Sequence, residues 1–528
     1  MPKLTIDGKE ITVESGTAIF QSAQKLGIFI PHYCYHSTLS IVGSCRMCLV
    51  EVEGNPKPVA SCSTPVQEGM KVLTNSENVK KSREAILEFL LINHPLDCPI
   101  CDQAGECLLQ DYAFLYGRPH SRFKENKRVF PKKVLGDCIV LYTNRCILCT
   151  RCVRFLNEVA GYEELGVFER GRTSQIDVFP DRPLKNKLAG NVVDICPVGA
   201  LIDKDFLHKT RVWNLASYNS ICSECSSGCN IRIDVKDNGI YRIKPRLNTE
   251  VNNFWICDYG RYDYHKWDNV SRIENPAKNE NGQTIKISWE NAIELIDKNF
   301  KNIIEKYGSS AVAGIGNSSA SNEENFLLYY YVNKCLKSEN VFLYHINVNG
   351  YKEDFKCGFK ISSDKNPNKQ GAVLFLSLKE RDGSFEILLD KIEKQEIRAL
   401  YFIHKNVGNV INEDKIRILR KLDFLALQNV SDSNLTKIAN IALPSTNFYE
   451  SDGSYINSDN RIQRFFKAIE QPSFSKEGWE ILSSIIKKFG EDLNVSSVSE
   501  VFNKSSEYFD EVKGLTFYKL GDTGVKLK

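Results

Sequence analysis

The sequence has no excess of charge of either sign, no long apolar run and too few cysteines for a disulfide scaffold. Its 528 residues contain 69 Lys and Arg against 66 Asp and Glu, a net charge of +3, which argues against a dedicated nucleic-acid surface. No run approaches the ~18 apolar residues needed to cross a membrane, and we expect no signal peptide at the N-terminus. The 18 cysteines are therefore expected to be reduced, in a cytosolic-type compartment, and bound to metal. If the protein works at a membrane, another subunit must hold it there.

The cysteines that are present group into sets with the spacing of metal ligands. Of the 18, all but Cys138, Cys335 and Cys357 join one histidine in four sets of four. Thiolates in pairs and triplets are what iron–sulfur clusters require, because each iron needs a soft, anionic ligand. The sets are Cys34, Cys45, Cys48 and Cys62; His94, Cys98, Cys101 and Cys107; Cys146, Cys149, Cys152 and Cys196; and Cys222, Cys225, Cys229 and Cys257.

The first two sets differ in their spacing and in the ligands they offer. The first reads C-x10-C-x2-C-x13-C, which predicts a 2Fe–2S site, because one close pair with two distant cysteines is not a zinc-ribbon layout. In the second, three cysteines lack a fourth ligand and His94 is the nearest candidate, although a capped core histidine is the alternative. A neutral imidazole in place of a thiolate should raise the reduction potential of a 4Fe–4S cluster there.

The third and fourth sets both predict 4Fe–4S sites. The third begins with a C-x2-C-x2-C triplet, and Cys196-Pro197 supplies the matching Cys-Pro end after 43 intervening residues. Cys138 is the alternative fourth ligand. The fourth set reads C-x2-C-x3-C-x27-C, in which three cysteines plus one favour a cluster, with zinc as the alternative.

Hydrophobic patterning predicts small cysteine-bearing units followed by an α/β region. Strand-like alternation with one helix is expected over 1–75, an exposed basic connector over about 120–145, and a hairpin turn at 237–239. From 274, apolar strands alternate with helices, which is typical of a parallel sheet. The predicted helices are 17–28, 79–93, 101–117 and 322–336, and the predicted strands of the α/β region are 310–316, 371–378, 398–404 and 424–430.

Two further motifs are only weak evidence for a binding site. GIGNSS at 314–319 follows a strand and precedes a helix but lacks the third glycine of a dinucleotide loop, so we predict no nucleotide site there. The basic run KENKRVFPKK at 124–133 is interpreted as a solvated connector, with a subunit-docking arm as the alternative.

Three stretches resemble the large iron–sulfur subunit of respiratory complex I. They are PHYCYHSTLSIVGSCRMCLVEV (31–52), HPLDCPICDQAGECLLQDYAFLYG (94–117) and NRCILCTRCVRF with GNVVDICPVGAL (144–201). The resemblance is dense over 1–273. Beyond it, SSASNEENFL (318–327) and ALPSTNFYESDGSYINSDNRIQ (442–463) look like remnants of a molybdopterin-oxidoreductase fold.

The resemblance implies a fold class and a set of domains. The expected class is multidomain α+β and α/β, with a β-grasp 2Fe–2S ferredoxin-like domain first and a shortened molybdopterin-oxidoreductase-like domain later. The expected domains are 1–77 (2Fe–2S), 78–118 (4Fe–4S held by one histidine and three cysteines), 119–215 (4Fe–4S with the distant Cys-Pro ligand), 216–273 (molybdopterin-oxidoreductase-type 4Fe–4S), 274–485 (shortened α/β) and 486–528 (C-terminal tail).

The resemblance also implies a function in a larger complex. Electrons would come from a partner subunit that binds NADH and FMN, enter at the first cluster and leave toward quinone through a downstream two-cluster iron–sulfur subunit. The His94 cluster would connect the first cluster with the Cys146 cluster, and the fourth cluster would lie off the main route. The expected cofactors are one 2Fe–2S and three 4Fe–4S clusters, with no molybdopterin, because about 200 α/β residues look too few to hold it.

The resemblance further implies that the chain would contact a membrane only through its partners. We expect it on the cytoplasmic face of a bacterial inner membrane, or on the matrix side if mitochondrial, with no catalytic site of its own and no nucleic-acid partner. Within the same chemistry, the alternatives are an iron–sulfur subunit of an NAD-linked hydrogenase or of a formate dehydrogenase. From another class, the alternative is a zinc-stapled interaction module.

Overall fold

The computed structural model describes residues 1–280, 283–346, 350–378, 384–405 and 411–528. The chain divides into two compact units. Unit 1 consists of Met1–Leu215 with Phe355–Phe359, and unit 2 consists of Ala216–Asp354 with Lys360–Lys528.

Unit 1 begins with a five-stranded sheet that packs on one helix, as the alternation over 1–75 predicts. The strand order is β2-β1-β5-β3-β4, in which β1 and β5 are parallel and the other neighbours antiparallel. Alternate residues of β1, Leu4 and Ile6, join Phe20 of α1 in the buried core. The elements are β1 (Lys3–Ile6), β2 (Lys9–Thr12), α1 (Ile19–Lys25), β3 (Leu49–Val52), β4 (Val59–Ala60) and β5 (Met70–Leu73).

The rest of unit 1 consists of short helices and small sheets that leave long loops for the cysteines. Strands β10, β7 and β6 form one sheet, and β8 and β9 another. A π-helical stretch, Phe155–Ala160, continues α4. The elements are α2 (Glu77–Leu91), α3 (Leu108–Tyr116), β6 (Lys133–Val134), β7 (Ile139–Leu141), α4 (Arg151–Arg154), β8 (Leu165–Phe168), β9 (Gln175–Val178), α5 (Asn191–Ile195) and β10 (Leu201–Asp203).

The basic segment 124–133 is attached to the preceding helix. Ser76 caps the N-terminus of α2 by accepting a hydrogen bond from the Val79 amide, and α2 ends before His94-Pro95. There the Lys127 ammonium donates to the carbonyls of Leu91 (2.8 Å) and Ile92 (2.9 Å). A cation at the last carbonyls of a helix is favourable, because those carbonyls have no partner within the helix.

Unit 2 opens with a three-stranded antiparallel sheet, β11-β12-β13. The predicted turn between its last two strands is confirmed, with Asp237 and Asn238 at φ 49° and 60°. Both central residues therefore adopt the left-handed conformation that a type I′ hairpin needs. The elements are β11 (Ala216–Ile221), β12 (Asn230–Lys236), β13 (Gly239–Pro245) and α6 (Asp258–Tyr262).

A seven-stranded sheet forms the centre of unit 2, as the α/β pattern predicts. Its order is β15-β14-β22-β21-β20-β16-β17, with the last five strands parallel. Hydrophobic cores cover both faces. The elements are β14 (Ala277–Glu280), β15 (Gln283–Lys286), α7 (Trp289–Tyr307), β16 (Val312–Asn317), α8 (Asn322–Tyr330), β17 (Val341–Tyr344), β18 (Glu353–Asp354), β19 (Lys360–Ile361), α9 (Lys369–Phe375), α10 (Phe385–Glu393), β20 (Ala399–His404), α11 (Glu413–Leu419), β21 (Phe424–Asn429), β22 (Ile441–Pro444), β23 (Gly453–Ile456), β24 (Arg461–Phe465), α12 (Gly478–Phe489), α13 (Val498–Ser505) and β25 (Val525–Lys526).

Three predicted elements are wrong. The run 371–378, predicted as a strand, forms most of α9, because a short apolar run does not by itself separate a buried helix from a strand. The stretch 101–117 is helical only from Leu108, and Gly105 at φ +91° turns the preceding loop. The region from 486, predicted as a tail, forms α13 and β25 and buries Val501 and Phe502 in the core of unit 2.

Candidate metal centres

The first ligand set lies on the loop between α1 and β3 and just after β4. Its thiols pair two by two. A hydrogen bond from the Cys45 thiol lowers the pKa of Cys34 to about 5, and the same bond raises the pKa of Cys45. A bond from Cys62 lowers the pKa of Cys48 to about 7 and raises that of Cys62. The Cys34 amide also donates to the Cys45 sulfur at 3.5 Å.

This pairing fits a two-iron cluster. The thiols of Cys34, Cys45 and Cys48 all act on that of Cys62, so the two pairs adjoin. Among the residues described, no group of three or more His, Cys, Asp or Glu is placed to hold a single metal ion, at this set or at the other three. Two pairs are what a 2Fe–2S cluster requires, with two thiolates for each iron. None of the described cysteines forms a disulfide.

The second set brings its three cysteines together around the turn before α3. Cys98 begins a 3₁₀ turn, Cys107 precedes α3, and the thiol of Cys101 interacts with those of both. Burial raises the pKa of Cys107 to about 11. Gly199 packs against this site, and a Cβ there would lie 2.3 Å from the Cys101 sulfur.

His94 lies just beyond the end of α2. Burial, followed by the cations of Arg145 and Lys127, lowers the pKa of this imidazole to about 4. The ring is then neutral at pH 7, which is the form that binds metal. The groups that influence its charge are Arg145, Lys127 and Asp97 rather than the three cysteines, so its ligand role stays a prediction.

The third set is assembled from two distant segments. The triplet lies in the loop after β7 and on α4, where Leu148 and Thr150 have left-handed φ values of 52° and 58°. The thiols that interact with Cys152 are those of Cys149, Cys146 and Cys196, and Cys196 directly follows α5. The structure therefore places Cys196 beside the triplet. Burial raises the pKa values of Cys146 and Cys149 to about 12 and about 11.

The fourth set lies in unit 2 between β11, β12 and α6. The Cys222 amide donates to the Cys229 carbonyl at 2.7 Å, which closes the loop that carries three of the cysteines. Cys222 also interacts with the thiols of Cys225 and Cys257, and all four are buried. A Cβ on Gly260 would lie 2.7 Å from the Cys222 sulfur, so glycine leaves room for that thiol.

Several residues of these sites were not predicted from the sequence. Gly199 and Gly260 are the last residues of the motifs CPVG and CDYG, and their lack of a side chain was the available signal. Arg151 and Arg154 stand within the third motif, but their partners are too far away in sequence to be predicted.

Unit 2 contains a cavity of about 190 Å³ beside the fourth set. Its lining includes Glu224, Lys266, Trp267, Lys405 and Tyr455. Pockets for cofactor-sized ligands usually measure about 300–1,000 Å³. The volume is small for a pterin cofactor, and the absence of molybdopterin stays a prediction.

Protein-family comparisons cover most of the chain. The matches are the 2Fe-2S iron-sulfur cluster binding domain (2–77), the NADH-ubiquinone oxidoreductase-G iron-sulfur binding region (83–122), the ferredoxin-like domain of NADH-quinone oxidoreductase subunit 3 (136–202), the NDSU1/NuoG-like 4Fe-4S domain (218–265) and molybdopterin oxidoreductase (272–345 and 358–488). Fold and thiol sets together define an iron–sulfur subunit of an oxidoreductase, with a molybdopterin-oxidoreductase-like domain.

Curated relatives narrow the class to one family. The G subunit of the NADH-quinone oxidoreductase of Rickettsia bellii is 44% identical over 354 residues, which cover 67% of this chain and 51% of that protein. The NADH-ubiquinone oxidoreductase 75 kDa subunit of Reclinomonas americana is 46% identical over 343 residues, 65% of this chain and 49% of that protein. The mitochondrial NADH-ubiquinone oxidoreductase 78 kDa subunit of Neurospora crassa is 49% identical over 298 residues, which cover 56% of this chain and 40% of that protein. The chain belongs to the family of the NADH-quinone oxidoreductase G subunit and the 75 kDa subunit.

The match to these relatives is partial. The chain spans about half the length of the curated relatives it matches. In a solved structure of an NAD+-reducing [NiFe]-hydrogenase, one chain is 33% identical to this one. The match covers 40% of this chain and 91% of that chain, but its TM-score of 0.37 supports no conclusion. Among the described residues, no helix combines the length and apolar character needed to span a membrane.

Proposed function

We propose that the chain carries electrons within an NADH–quinone oxidoreductase complex. The observation that supports this most directly is that unit 1 brings three thiol-rich ligand sets side by side. The proposed ligands are the 16 residues of the four sets, which would hold one 2Fe–2S and three 4Fe–4S clusters. Bound iron–sulfur clusters supply one-electron redox chemistry, and the protein supplies ligation, burial and hydrogen bonds that set each potential.

The contacts favour the third set as the middle position of unit 1. One Arg154 nitrogen donates to the carbonyls of both Cys34 and Cys149, which directly links the first and third sets. The Leu108 amide donates to the Pro197 carbonyl at 3.1 Å, which links the residues beside Cys107 and Cys196.

The first and second sets are linked less directly. The Tyr33 and Tyr112 rings lie between them, with their centroids 5.1 Å apart. On the support of these contacts, we propose the order first, third, second. It differs from the order that the family resemblance implied, in which the His94 set lay between the other two.

The proposed partners are the NADH- and FMN-binding subunit and a downstream two-cluster iron–sulfur subunit. The flavin partner would dock near the first set, because an electron must enter close to a cluster. We place the fourth set off the main route, and the complex at the cytoplasmic face of a bacterial inner membrane or the mitochondrial matrix side. These assignments rest on the family and on the ligand sets.

The isolated, cluster-loaded chain should not be reduced by NADH. Hydride from NADH carries two electrons and is accepted by a flavin, whereas each iron–sulfur cluster accepts one electron. The sequence offers no cofactor-binding loop above background, so the chain needs its flavin-bearing partner. Electron paramagnetic resonance (EPR) should show cluster signals after chemical reduction, none with NADH alone, and the first cluster's signal once the partner and NADH are both present. A Cys48→Ala chain, which lacks a ligand of that first site, serves as the control. Rapid reduction by NADH without flavin or partner would contradict the proposal.

A further inference from the structure

Two buried arginines on α4 connect the first and third ligand sets. Arg151 is 7% exposed and Arg154 is 9% exposed. One terminal nitrogen of Arg154 donates to the Cys34 carbonyl at 2.6 Å and to the Cys149 carbonyl at 3.1 Å. Its other terminal nitrogen donates to the Ser40 carbonyl. A single guanidinium thus contacts the backbone of a ligand from each set.

Arg151 makes a second connection between the same two sites. One terminal nitrogen donates to the Ile195 carbonyl at 3.3 Å, next to Cys196, and the other donates to the Tyr35 carbonyl, next to Cys34. Its charge interacts with the thiols of Cys149, Cys196 and Cys34. Both arginines therefore lie where ligands of the two sets meet.

Neither guanidinium forms an ion pair with a carboxylate of the described residues. Glu158, one turn further along, instead accepts the Ser40 amide (2.7 Å) and hydroxyl (2.5 Å). Arginine stays protonated in proteins, and a buried charge without a partner is strongly unfavourable. The charges of these arginines act on thiols of both sets, so the thiolates and the clusters they would hold can balance them.

We infer that Arg151 and Arg154 are positioning residues that raise the reduction potentials of the first and third clusters together. The inference rests on the proposed function. Uptake of one electron adds one negative charge to a cluster, and a fixed cation in a low-dielectric interior favours that added charge. Because Arg154 contacts both sites, its loss should change both potentials.

The test is an EPR-monitored redox titration of the full, anaerobically loaded chain. In Arg154→Gln, the ratio of reduced to oxidised cluster at a given potential should fall about tenfold at both sites, which is ~59 mV for one electron. Arg154→Lys keeps the charge and should keep both potentials near those of the unmodified chain. Arg272→Gln removes an arginine that is paired with Glu450 in unit 2 and should change neither potential.

The outcomes separate the inference from its alternatives. Unchanged potentials in Arg154→Gln, or a shift at one site only, would overturn it. If Arg154→Gln loses iron, Arg151→Gln is titrated instead. Iron loss in both variants would assign these arginines a purely structural role and would also overturn the inference. Missing signals in the unmodified chain would count against the proposed function rather than against the arginines.

Discussion

Replacing Cys196 by alanine should remove one 4Fe–4S signal and about 4 irons per chain. Cys196 lies beside the buried thiols of Cys149 and Cys152, and it ties together segments that are far apart in sequence. Because metal binding contributes directly to local folding, the loop after α5 should also exchange its amide hydrogens faster. EPR of the reduced chain, iron analysis and hydrogen exchange check these expectations.

Cys138→Ala is the matched control, because Cys138 is the alternative fourth ligand suggested by the sequence. The thiols that act most strongly on Cys152 are those of Cys149, Cys146 and Cys196. This variant should keep its iron and all of its EPR signals. Loss of the third signal in Cys138→Ala, with retention in Cys196→Ala, would reassign the ligand.

Phe502→Ala should destabilise unit 2 by about 3–5 kcal/mol, the usual effect of truncating a buried phenylalanine. Phe502 is 0% exposed and lies in the same core as Phe517 and the central strands. Hydrogen exchange of the amides of β20 and β21 should report this loss, because central strands open only with the unit as a whole.

Tyr518→Ala is the control for the same C-terminal region. Tyr518 is 86% exposed, so its truncation should change the opening free energy by less than about 0.5 kcal/mol. Similar effects for the two variants would contradict the packing of 486–528 into the core.

The grouping of the cysteines and several strands could be predicted because their signals are local, while the ligand roles stay predictions. Cysteine spacing identifies thiol sets directly, and the apolar runs that became β16, β20 and β21 are bounded by turns. The hairpin at Asp237 and Asn238 was predicted for the same reason, since short polar residues tolerate a left-handed backbone.

The missed elements depend on packing that the sequence does not show. In α9, Ala372 and Phe375 are buried three residues apart, a helical spacing hidden within a uniformly apolar run. In the C-terminal region, Val498, Val501 and Phe502 show the helical i, i+3, i+4 pattern, which is short and surrounded by polar residues. Tertiary contacts determined the structure in both places.

The arginines of α4 show why the surroundings of the sites could not be predicted from the sequence. Arg154 bonds to the carbonyls of Cys34 and Ser40, whose sequence separations of 120 and 114 residues place them beyond any local pattern. Only the fold brings these groups together. A cysteine motif therefore proposes ligands, while the residues that connect the proposed sites can be found only in the structure.

Metal analysis of the anaerobically purified full chain tests the central claim most directly. The four ligand sets predict about 14 irons per chain, as 2 + 4 + 4 + 4, with matching acid-labile sulfide and little zinc. Stoichiometric zinc, with about 2 or 4 fewer irons, would contradict the assignment of one of the four clusters.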